Sequence, residues 1–151
     1  MIPTQLQTTR FGAIAIDPSL IFTFPTGLPG FPAEQRFTLL RIGLEDTPFI
    51  WMQSVTNPDL CFLLVDPTAA FTNYSVDLSP TDAAQLEWTK EQEAALQVLC
   101  IVSVPDGDLQ KAIVNLKAPL WFNPASKLAL QAILDNDAYS IRYPLFAQGG
   151  E

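Results

Sequence analysis

Histidine is absent from all 151 residues. That removes the usual catalytic base, the commonest transition-metal ligand and the physiological-pH switch together. Hydrolysis by a serine or cysteine with a histidine base is therefore excluded. No Ser-x-x-Lys spacing replaces it. Cys61 and Cys100 lie inside apolar runs without metal-ligand spacing and read as reduced, buried thiols. A disulfide between them requires the fold to bring their two strands together. Asp106-Gly107-Asp108 and Asp135-Asn136-Asp137 resemble fragments of calcium loops. After Asp135, however, the glycine at position six and the acid at position twelve of an EF-hand are missing. Both segments read as turns. Gly27 and Gly30 stand between prolines with no Lys-Thr pair after them, so no phosphate loop is expected. The acid pair Glu45-Asp46 reads as an exposed loop. None of these groups reads as an active site, and no metal or cofactor is expected.

What remains is binding surface. Trp51, Trp88, Trp121 and ten phenylalanines supply core and possible anchors. Polar residues at strand margins stand out more: Gln53, Ser54, Asn57, Asn115 and Asn123. Each serves either turn and strand-end hydrogen bonding or partner contact. The net charge is −8, and the eight bases form no run, which disfavours nucleic-acid binding.

The elements that must position these residues are short. Thirteen prolines and seven glycines punctuate apolar segments, the pattern of many strands joined by tight turns. Strands are expected over Phe11–Ile16, Leu20–Phe24, Phe37–Ile42 and Phe49–Ser54. In the third, Leu39 takes one face, and Leu40 with Ile42 the other. Leu60–Val65 is apolar on both faces and should lie centrally, covered on each side. Ser79-Pro80-Thr81-Asp82 offers an N-cap, a proline at the first helical position and an acid in the first turn, so one short helix is expected near residues 80–88. Thr89–Ala95 reads as its exit loop.

Leu96–Val104 alternates, with Leu96, Val98, Cys100, Val102 and Val104 on one face. Pro105–Asp108 turns the chain, and Leu109–Leu116 returns to complete a hairpin. Val114–Asn123 then reads as two apolar half-strands bent at Pro119, with asparagines near both ends. Leu128–Leu134 favours strand by alternation, although its composition suits helix. Tyr139–Tyr143 closes the fold, and the tail from Gln148 should fray. A single domain over 1–151 follows, mostly β, with a barrel-like fold of short strands, one short helix and a core over about residues 11–143. No basic leader and no apolar run long enough to cross a bilayer precede or interrupt it, so a cytoplasmic location is expected.

The order of several motifs resembles the FliW family of flagellar assembly factors. The matching residues are Phe24-x-x-Gly27-Leu28-Pro29-Gly30-Phe31, Pro48-Phe49, Gln53-Ser54, Phe62, Asp66-Pro67 and Tyr74. They continue through Val114-Asn115-Leu116-x-Ala118-Pro119, Asn123-Pro124, Gln131, Leu134, Tyr139 and Arg142. Asn-Leu-x-Ala-Pro is the most specific block. The chain departs from typical members in having only Lys127 as a base between the Asn-Pro turn and Gln131.

The resemblance implies a non-enzymatic cytoplasmic regulator with two protein partners, flagellin and the RNA-binding translational regulator CsrA. Flagellin is held before export, and the freed factor captures CsrA and relieves repression of flagellin synthesis. Gln53, Ser54, Asn57, Asn115, Lys117 and Asn123 are the candidate partner-binding residues. A barrel that binds a small ligand or flavin in its mouth is the alternative.

Overall fold

The computed structural model describes residues 5–28, 30, 33–69, 71, 74, 78–89, 96–134 and 139–145. Eleven strands and one α-helix are built from them. A hairpin of β1 (Gln5–Thr8) and β2 (Gly12–Ala15) precedes the main sheet. β3 (Ile21–Thr23), β4 (Arg36–Leu40), β5 (Phe49–Ser54), β6 (Cys61–Val65) and β7 (Gln97–Ser103) then run as an antiparallel meander. β9 (Leu120–Asn123) and β10 (Leu128–Gln131) form a second hairpin. β10 lies parallel to β3, and β9 pairs with β7, so these seven strands close into a barrel. Closure leaves the ring without a free edge. β8 (Ile113–Val114) and β11 (Tyr143–Pro144) extend the sheet outward from the second half of β7.

Alternation along each strand separates an interior from an outer apolar layer. Phe22, Phe24, Phe37, Met52, Leu64 and Phe122 fill the interior. Phe122 meets Phe22 and Phe24 edge to face, with centroids 5.1 and 5.9 Å apart, the geometry that aromatic quadrupoles prefer. Three separate clusters cover the outside. The β1–β2 hairpin lays Leu6 and Ile16 against Ile21 and Leu40. The helix α1 (Pro80–Gln85) and Leu86 cover Trp121 and Leu130. Tyr74 and Tyr139 cover Cys100, Val114 and Leu116.

That second layer explains why β6 is apolar on both faces: Leu64 packs inside, while Leu63 and Val65 join the outer cluster. It also sharpens the alternation expected over Leu96–Val104. The expected face is the outer one, and Leu99 with Ile101 faces the interior. Ser79 caps α1 as its sequence requires, accepting from the Asp82 amide at 3.1 Å. No helix among the described residues is long and apolar enough to cross a membrane.

Several boundaries differ from expectation. The β1 strand has one inward apolar residue, Leu6, and carries too little pattern to be read alone. β4 stops at Leu40, leaving Ile42 43% exposed beyond it. Leu109–Lys111 is a 3-10 turn, because the Asp108 side chain accepts from the Gln110 amide at 3.0 Å and tightens the chain. The returning arm of that hairpin is therefore only two residues long. Of Tyr139–Tyr143 only Tyr143 is in a strand; Tyr139 is packed under the sheet instead. Leu128–Gln131 is strand, as its alternation suggests. Both cysteines are free: β6 and β7 are neighbours, but Cys100 stands opposite Val65, four residues from Cys61. Residues 135–137, most of the exit loop after α1 and the tail from Gln148 lie outside the described residues.

Candidate interaction surface

Val114–Asn123 returns twice to the same edge of β7. Val114 stands opposite Val102, and Leu120 opposite Leu99. Five residues, Asn115 to Pro119, thus face two, Cys100 and Ile101, and the excess is thrown out as a large bulge. Proline makes this natural, since Pro119 has no N–H to give to a ladder. Asn115 shapes the turn, its Oδ1 accepting from the amides of Lys117 (3.2 Å) and Ala118 (3.1 Å).

Other segments take up the backbone groups that β7 no longer reaches. The Ala132 amide donates to Pro119 and the Leu134 amide to Lys117, while the Leu116 amide donates to Ser140. The Tyr74 hydroxyl donates to the Leu116 carbonyl at 2.7 Å, and Gln131 Nε2 to Ala118 at 3.0 Å. Lys117 projects half-exposed from this frame. Beside it Ile133 and Ile141 are 75% and 58% exposed, and Arg142 is exposed. Bare isoleucines and two cations thus surround the bulge.

Asn123 sits at the far end of β9 and is fully buried. Its Nδ2 donates to the Leu86 carbonyl at 2.8 Å, a carbonyl that also accepts from Ser126 Oγ, and its Oδ1 accepts from the Ala125 amide. Asn123 therefore ties the β9–β10 turn to the end of α1.

Gln53 and Ser54 are also fully buried. Gln53 Nε2 donates to the carbonyls of Ser54, Asn57 and Pro58 at 3.2–3.3 Å. Ser54 Oγ accepts from the amides of Thr56 and Asn57 and donates to Glu34 Oε2 at 3.1 Å. Asn57 is half-buried, and its Oδ1 accepts from the Asp59 amide. Glu34 also accepts from Thr56 Oγ1 at 2.6 Å. Neither Glu34 nor Thr56 is among the residues singled out by sequence, because a contact across twenty positions leaves no local signature.

The six candidate residues thus fall into separate places. Asn115 and Lys117 belong to the bulge, and Asn123 to the opposite end of β9. Gln53, Ser54 and Asn57 hold the β5–β6 loop. The row Leu128, Thr23, Arg36, Val55 joins the turn after Asn123 to that loop across three strand spacings, about 14 Å. Gln53, Ser54 and Asn123 have no surface of their own, so any effect they have on a partner is exerted through the loops they hold.

Reactive chemistry is scarce here as well. Burial pushes the Cys100 thiol up to about 12 and the Tyr74 phenol well above its usual range, so both stay protonated and unreactive near neutrality. No cluster of three or more metal-ligating acids, thiols or imidazoles occurs among the described residues. The Asp106–Asp108 segment is a turn, with Asp106 and Gly107 both at positive φ.

Comparison with known proteins agrees along the whole barrel. The family model for FliW protein matches residues 5–145. The flagellar assembly factor FliW of Natranaerobius thermophilus is 40% identical over 97% of this chain and 95% of its own length. That of Moorella thermoacetica is 38% identical over 95% and 89%. A crystal structure of the flagellar assembly factor FliW superposes with a TM-score of 0.84 at 35% identity, covering 96% of this chain and 99% of that one. The closed barrel, its outer clusters and the Asn115–Pro119 bulge are therefore those of a chain that belongs to the FliW family of flagellar assembly factors.

Proposed function

We propose that this chain is a cytoplasmic, non-catalytic regulator that couples flagellin synthesis to export by exchanging two protein partners. It holds flagellin before export. Once flagellin leaves, the vacated factor captures the translational regulator CsrA and ends its repression. Each partner's occupancy then sets the pool open to the other. Family membership across residues 5–145 carries this reading. The net charge of −8 suits it too, since an acidic surface steers a basic RNA-binding partner.

The small-ligand or flavin alternative is not favoured. Phenylalanine, leucine and methionine side chains pack the barrel interior where such a molecule would sit. Titration calorimetry with purified flagellin and purified CsrA, each alone, tests the proposal. A complex with each at about micromolar Kd or tighter is expected. Absence of both complexes refutes it.

A further inference from the structure

A concavity lies on the outer face of β5, β6 and β7, with none of the bulge residues in its lining. It is a groove of about 450 Å³ lined by Arg10, Trp51, Cys61, Leu63, Val102 and Val104, with Gly107 at one end. Its floor is aliphatic. Arg10, from the turn of the β1–β2 hairpin, lies 4.8 Å over the Trp51 ring. Trp51 is itself fixed: its Nε1 donates to the Ile42 carbonyl at 3.0 Å, and Phe11 meets it edge to face. The guanidinium is thus held over the groove by a stacked, oriented ring. Asp106 and Asp108 flank Gly107 in the chain and are exposed.

This charge layout selects among occupants. The chain's net charge of −8 disfavours a polyanion such as nucleic acid. A cation beside an aliphatic floor suits one carboxylate next to aliphatic side chains. We propose that this groove receives an extended segment of a protein partner, setting an Asp or Glu carboxylate against Arg10 and an aliphatic side chain on Leu63, Val102 and Val104. The inference rests on the protein-binding reading above and adds a recognition site outside the bulge.

Cys61 supplies a reporter inside the groove, because it is half-buried there while Cys100 is fully buried. Alkylation of Cys61 by iodoacetamide, followed by intact mass at about pH 8.5, reads access to the thiolate. The probe is N-acetyl-Leu-Val-Asp-amide, and its control is the isosteric N-acetyl-Leu-Val-Asn-amide. At about 5 mM peptide and a Kd of about 1 mM, the acidic probe slows alkylation about sixfold. The control does not, and the protection disappears in Arg10→Gln and in Val104→Asp, each compared with its own peptide-free rate. Absence of protection in the native chain overturns the proposal, as does equal protection by both peptides or protection that survives Arg10→Gln.

The same variants are then titrated with flagellin and CsrA. If the native chain binds neither, the protein-binding reading fails and takes this inference with it. If it binds and neither variant weakens either complex, the groove inference alone fails.

Discussion

The Tyr74 hydroxyl donates to the Leu116 carbonyl at 2.7 Å, joining segments 42 residues apart in the chain. The same hydroxyl accepts from the Cys100 thiol of β7, so it ties the bulge to the outer face of that strand. Tyr74→Phe leaves the ring packed against Tyr139 and removes this donor together with the weak acceptor it offers the Cys100 thiol. A loss of about 1–2 kcal/mol is expected, the cost of an unmet carbonyl in a covered site. Urea unfolding followed by tryptophan fluorescence measures it.

Alkaline pH should weaken the same cluster. The Cys100 thiol is raised from 9.0 to about 12, and the Tyr74 phenol is also raised. Burial stabilises the protonated form of each, so the folded chain keeps protons that the unfolded chain releases. Their contribution is complete below about pH 9 and is lost as pH rises toward 12. Unfolding midpoints should fall over that window, and less steeply in Cys100→Ala.

Asn115→Ala removes the acceptor for two amides of the bulge. By analogy with a lost helix cap, it should cost about 1 kcal/mol while the barrel still unfolds cooperatively. Asn115→Asp retains the acceptor and should cost less. If the bulge meets a partner, the alanine variant weakens one complex more than its stability loss explains. Calorimetric titration beside the unfolding curve separates the two effects.

Thr38 and Gln53 stand opposite each other on β4 and β5, both fully buried. Among the described residues, Thr38 Oγ1 and Gln53 Oε1 have no hydrogen-bond partner. Thr38→Val replaces a costly hydroxyl with a methyl of the same shape. It should raise stability by up to about 1 kcal/mol, read as a higher urea midpoint with unchanged slope.

Strand periodicity made the barrel legible, and Ser79-Pro80 made α1 legible. Proline and the two asparagines marked the bend at Val114–Asn123. What periodicity does not encode is which apolar face points inward. β7 is apolar on both faces because Tyr74 and Tyr139 cover its outer side, and that cover comes from distant segments. Side-chain competition also escaped it, as where Asp108 turns Leu109–Lys111 away from strand. The candidate site was legible only as a set of polar positions. Gln53, Ser54 and Asn123 look like surface in sequence, yet lie buried because backbone carbonyls and amides of neighbouring loops satisfy them. Glu34 and Arg10 act through contacts 20 and more residues away, which no local spacing announces.

Partner exchange is open to a displacement experiment. The chain is immobilised, saturated with CsrA and washed with increasing flagellin, and the CsrA released is quantified. Exchange predicts that flagellin expels CsrA in proportion to its own occupancy, with CsrA displacing flagellin in the reverse experiment. Both proteins remaining bound together at saturation would contradict it.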